Sequence, residues 1–324
     1  MNVPCTLVML AALAGGVGAG VPSPDAPVLQ VRLQLSDGSI YPASRGAIAL
    51  AGVTAQVDFG DTDFTNGTAP IEAWIERSMR IVAGYYGAFP VRELHVRVTP
   101  VDGAGVQGGT TWGAPEALIR VRVGRQVTEA QLMDDWVLVH EMVHLALPEI
   151  GDTHAWLSEG LATYVEGVAR AQAGNLEPAN VWAGYVRSMP KGLPKQGDQG
   201  LDRTHTWGRT YWGGALFCLM ADVDIRSRTH NKFGLQDALR AVARGSGGLG
   251  TDWPIDRVLD TGDDAVGVPV LQELYDQMKK APVSPDLETL WTRLGIERNG
   301  DGVTLREDAP LSAVRAAITQ RRRE

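Results

Sequence analysis

His140-Glu141-Met142-Val143-His144 is the stretch on which the reading of this chain turns. Residues four apart in an α-helix lie on one face, one turn up, so His140 and His144 can direct both imidazoles at a single point. Neutral imidazole nitrogen is a preferred ligand of zinc, and a catalytic zinc site takes three protein ligands and keeps one position for water. Glu141 follows the first histidine and can reach a water rather than the ion, the position of a general base. Val137-Leu138-Val139 before the motif and Leu145-Ala146-Leu147 after it carry no charge, as expected of a buried helix. Two core histidines flanking an accidental Glu would instead bury a charge without a partner.

The three-histidine extension of this motif, that of the metzincins, needs a Gly and a third His where Leu147 and Ile150 stand, so that branch is excluded. Candidates for the third ligand are Glu149, Asp152, His154, Glu159 and Glu166. Glu159 opens a predicted helix that can fold back beside the first, and His154 is its competitor.

Around the motif, the sequence reads as strands giving way to helices. Val28–Leu35 alternates apolar and polar residues and is followed by Asp37-Gly38 and Ile40-Tyr41, a hairpin pattern. Strand-like sequence continues over Ala47–Phe59, Leu94–Val98 and Ala117–Val123, with a Gly-rich loop (Gly103, Gly105, Gly108, Gly109) between the last two. Helical spacing runs over Ile71–Tyr86. The Thr128/Gln131 capping box and Pro148 bracket a single helix of about 20 residues, roughly 30 Å, whose later half carries the motif. Further helices are expected over 158–173, 211–228, 235–243, 270–280 and 287–294, a loop over 246–264, and a hairpin turn at Asn299-Gly300-Asp301-Gly302.

Composition bounds the alternatives. The 324 residues are 44% hydrophobic and 21% charged, enough for one large or two modest domains. A net charge of -8 offers no general attraction for nucleic acid or an anionic membrane surface. Residues 1–20 hold the apolar run Leu7–Leu13 and then small residues, the pattern of a secretory signal peptide, although no Lys or Arg precedes the run. Residues 21–27 read as an exposed, proline-rich lead-in. Export to a secreted or periplasmic location follows from this reading, with no stable membrane insertion after signal removal. Removal would take Cys5 and leave Cys218, in an apolar stretch, as a buried structural thiol.

Trp156-Leu157-Ser158-Glu159-Gly160-Leu161-Ala162-Thr163-Tyr164-Val165-Glu166 resembles the second motif of the gluzincin metallopeptidases of the aminopeptidase N and glycyl aminopeptidase families. The resemblance implies Glu159 as third zinc ligand beside His140 and His144. Tyr211-Trp212-Gly213-Gly214-Ala215 resembles the segment whose Tyr hydrogen-bonds the oxyanion, which implies that role for Tyr211. Residues 219–240 are closer to the glycyl aminopeptidases. The implied fold is α+β and thermolysin-like: a β-rich lobe over residues 28–150 with the zinc-motif helix, a helical lobe over 151–324, and the cleft between them. The implied activity is hydrolysis of a peptide or protein substrate with one catalytic Zn2+. The connection from His144 to Glu159 is shorter than in aminopeptidase N. Where aminopeptidase N members carry an acid for the substrate amine, residues 108–113 (Gly-Gly-Thr-Thr-Trp-Gly) have none, with Glu116 and Glu166 as substitutes. Gly109, Thr110, Thr111 and Trp112 are candidates to bind substrate backbone as an added strand. Endopeptidase and aminopeptidase action, an inactive binding module, a zinc hydrolase of non-peptide bonds, and contributions from His205 and Arg209 stay open at this level.

Overall fold

The computed structural model describes residues 45–50, 52–60 and 63–321. The expected signal peptide, the lead-in and the Val28–Tyr41 hairpin lie outside them. The described residues form an α+β fold of seven strands and eleven α-helices. They cluster into two compact units, residues up to 78 with 92–141, and 79–91 with 142 onward. Two helices, Ala69–Tyr86 (α1) and Val137–His144 (α3), are continuous through these division points.

The first unit is organised by a five-stranded sheet of Arg45–Leu50 (β1), Val53–Asp58 (β2), Glu93–Val101 (β3), Val106–Trp112 (β4) and Leu118–Gly124 (β5). The order is β1-β2-β3-β5-β4, with β2, β3 and β5 parallel and the two edge strands antiparallel to their neighbours. Alternation places Ala55, Val57, Leu94, Val96, Val98, Ile119, Val121 and Val123 in the core, as a period of two requires. The glycine-rich segment is therefore only partly the loop that its composition predicts. From Val106 onward it pairs with β5, and a bulge at Val106/Gly108 absorbs the irregularity, with Gly108 at φ 137°.

The single long helix predicted over 128–148 is two. Glu129–Asp134 (α2) begins with the predicted Thr128/Gln131 capping box. Asp135 then turns extended (ψ 139°), and its carboxylate accepts from the Leu138 N–H at 3.2 Å, which starts α3 afresh. The Trp74 indole N–H donates to the same oxygen at 3.2 Å.

The second unit is helical: Ala155–Gln172 (α4), Pro178–Ser188 (α5), Gly214–Arg228 (α6), Leu235–Ser246 (α7), Ile255–Val266 (α8), Val270–Met278 (α9), Leu287–Leu294 (α10) and Ser312–Thr319 (α11). Ile296–Asn299 (β6) and Gly302–Leu305 (β7) make the expected hairpin. The loop predicted over 246–264 is overturned in its second half: Pro254 stops one segment and starts α8, whose Ile255, Val258, Leu259 and Val266 are buried despite the surrounding Asp and Gly. Cys218 is fully buried on α6, and burial pushes its thiol pKa up, in keeping with a structural thiol. Among the described residues no helix is long and apolar enough to cross a membrane.

Candidate active site

The local frame comes from two helices. On α3, Leu138, Val139, Met142 and Val143 are buried, which fixes the helix and leaves His140 (4% exposed) and Glu141 (8%) largely desolvated. Helical spacing then sets His144 one turn beyond His140. On α4, Trp156, Leu157, Gly160 and Leu161 are buried and Glu159 is half-buried. The close approach of α4 to α6 is made by glycine. A Cβ on Gly160 would fall 2.3 Å from the Gly214 backbone, and one on Gly214 would fall 1.9 Å from the Trp156 carbonyl oxygen. The Gly after Glu159 and the second Gly after Trp212 are thus two halves of one contact.

The ligand atoms of His140, His144 and Glu159 all lie within 4.8 Å of one another. Two imidazoles and one carboxylate are a donor set for catalytic zinc. His144 Nε2 and Glu159 Oε2 stand 3.6 Å apart, close to the ~3.3 Å that separates two donors each ~2.0 Å from a tetrahedral ion. His144 Nδ1 lies 3.0 Å from the Ser158 hydroxyl oxygen. With the proton on Nδ1 donated to Ser158, Nε2 keeps its lone pair toward Glu159 and the shared point. The donor set and the spacing both fit zinc.

His154, the competing ligand, is engaged elsewhere: its Nδ1 is 2.9 Å from the Ile150 carbonyl oxygen and its Nε2 is 3.2 Å from the Tyr275 hydroxyl, which itself donates to Asp202. Asp202 also accepts from the Trp156 indole, so this network is internal to the helical unit.

Glu141 faces β4. The Thr111 hydroxyl donates to Glu141 Oε2 at 2.6 Å, and its oxygen is 3.0 Å from the Glu141 carbonyl oxygen. Gly109, two residues earlier on the same strand face, has Glu141 Cγ 2.5 Å from where a Cβ would stand. Gly109, Thr110, Thr111 and Trp112 are all half-buried on the edge strand, with Arg120 over the Trp112 ring at 5.3 Å. Of the two substitute acids, Glu116 lies 3.1 Å from His95 and Glu166 lies 3.5 Å from Arg170.

Tyr211 is 5% exposed, inside a π-helical turn over Gly208–Gly213 that runs straight into α6. Single π turns inside helices cluster at functional sites. Its ring stacks on Trp207, which is 51% exposed. Arg209 does not offer its charge to solvent: it forms a buried 2.8 Å ion pair with Asp198, and its Nη1 donates to the Gly192 carbonyl at 2.6 Å. His205 is exposed in the preceding loop.

Sequence reasoning missed two of these contacts. Ser158 is adjacent to Glu159, so its place beside His144 could have been read from the same helix register. The Thr111–Glu141 bond spans 30 residues and has no local signal.

This arrangement of sheet, helices and donor triad can be compared with known folds. The fold resembles that of M1 zinc metallopeptidase domains. An aminopeptidase N family protein from Idiomarina loihiensis matches with a TM-score of 0.59 and 14% identity, over 79% of this chain and 49% of that one. The M1 zinc metallopeptidase from Deinococcus radiodurans matches with a TM-score of 0.52 and 17% identity, over 76% of this chain and 53% of that one. A Glu-to-Ala mutant M1 enzyme from Deinococcus radiodurans, bound to a Tyr-Ser-Ala substrate, matches with a TM-score of 0.51 and 16% identity, over 75% and 53% of the two chains. The chain thus spans about half the length of the M1 structures it matches. No protein-family model and no curated protein matches it.

Proposed function

We propose that the chain hydrolyses peptide bonds with one zinc ion held by His140, His144 and Glu159. The observation that carries this reading is the convergence of those three donors on α3 and α4 with Glu141 between the histidines. Zinc bound there supplies Lewis-acid chemistry, polarising a carbonyl and acidifying water. Glu141, already desolvated, takes the proton of the attacking water and delivers it to the leaving amine nitrogen. The Tyr211 hydroxyl donates a hydrogen bond to the carbonyl oxygen as it gains negative charge. Gly109 to Trp112, on the free edge of the sheet, pair with the substrate main chain as an added strand. The M1 neighbour that carries a tripeptide supports a peptide substrate. In keeping with this reading, we take residues 28–150 and 151–324 as the two parts of a thermolysin-like catalytic domain, and residues 1–20 as a signal for export.

Glu141→Gln tests the mechanism. It is expected to keep zinc and lose peptide hydrolysis by a factor of about 10²–10⁴, the usual contribution of a general base. Full retention of hydrolysis overturns it. Running free and N-acetylated peptides side by side, with ester substrates as a third set, assigns endo- or aminopeptidase action and tests the preference for peptide bonds.

A further inference from the structure

We propose that Thr111 is a positioning residue for Glu141, its hydroxyl holding one carboxylate oxygen so that the other is left to accept the proton. The proposal rests on the peptidase reading above for its consequence, and on geometry alone for the hold itself.

At 2.6 Å, the Thr111 Oγ1 to Glu141 Oε2 distance falls in the short range of hydroxyl donors to carboxylate. The hydroxyl has one proton and faces two acceptors, the carboxylate and the Glu141 carbonyl oxygen at 3.0 Å; the charged one takes it. Thr111 therefore bonds the side-chain tip of residue 141 while lying beside its backbone carbonyl. Gly109 completes the device. Residues two apart on a strand share a face, so Gly109 and Thr111 present a bare Cα and then a hydroxyl to the same side chain. The bare Cα admits Glu141 Cγ where any Cβ would collide, and the hydroxyl fixes the carboxylate beyond it. Register on β5 (Gly109 opposite Val121, Thr111 opposite Ile119) places both residues on a paired strand rather than a loop. Thr110, whose side chain alternates to the other face, bonds to the Gly109 carbonyl.

The test compares Thr111→Val and Thr111→Ser in the zinc-loaded full chain. Thr111→Val should lower kcat about 10–100-fold with KM and zinc content changed by less than about threefold, and Thr111→Ser should recover most of the loss. Wild-type kcat in Thr111→Val, an equal loss in Thr111→Ser, or a loss confined to KM overturns the proposal. Crystal structures of the zinc-loaded wild type and Thr111→Val give a readout that needs no hydrolysis. A Glu141 carboxylate displaced or split between conformers in the variant supports the hold; one unmoved from its wild-type position overturns it. If the wild type hydrolyses no peptide, the peptidase reading fails while this crystallographic arm still decides the hold. Thr111→Ala replaces Thr111→Val in both arms should the latter not fold.

Discussion

Among the regions of this molecule where backbone comes unusually close to a neighbour, the α4–α6 contact and strand β4 use glycine differently. At the α4–α6 contact, Gly160 and Gly214 meet backbone to backbone, with no flexible atom to yield. At β4, Gly109 meets a side chain, that of Glu141, which can swing away. The first contact builds the fold that presents Glu159. The second places Glu141, the proposed general base, without bearing the fold. The same substitution should therefore damage stability in one region and chemistry in the other.

The largest effect is expected from Gly214→Ala. Its Cβ would fall 1.9 Å from the Trp156 carbonyl oxygen, so α4 and α6 must separate, at a cost of about 3 kcal/mol or more. Chemical denaturation or soluble yield reads this out; a wild-type midpoint would break the comparison on the helical side. Gly109→Ala is expected to leave the unfolding free energy within about 1 kcal/mol of wild type while kcat falls at least about tenfold, because Glu141 moves rather than the backbone. A variant that unfolds with normal specific activity would break it on the sheet side. Ser158→Ala removes the hydroxyl beside His144 Nδ1 and is expected to weaken zinc binding about tenfold in chelator competition, with no change in fold. Smallest of all, Cys218 should resist thiol reagents in the native protein and react only on denaturation, since it is fully buried and its pKa is raised.

The same contrast explains what was legible beforehand. The shared face of His140 and His144 follows from local helix spacing, Glu159 as their proposed partner follows from the resemblance, and α4, α7 and α10 lie close to where periodicity puts them. The break at Asp135 was hidden because an Asp inside an apolar-periodic run looks like a polar face until its capping bond to Leu138 is seen. Strand β4 was hidden because glycine and threonine carry little apolar alternation; its pairing with β5 supplies what the pattern does not. Helix α8 was masked by the Gly and Asp around it, and α5 begins at a proline that reads equally well as a breaker. Tyr211 was placed by resemblance; the π turn that carries it has no signature in periodicity.

His140, His144 and Glu159 are proposed to form one zinc site. Anomalous scattering collected above and below the zinc edge on crystals of the zinc-loaded protein tests it directly. A single strong peak is expected about 2.0–2.2 Å from one nitrogen of each histidine and from a Glu159 oxygen. No peak there, or a peak held by other residues with Glu159 turned away, would contradict it.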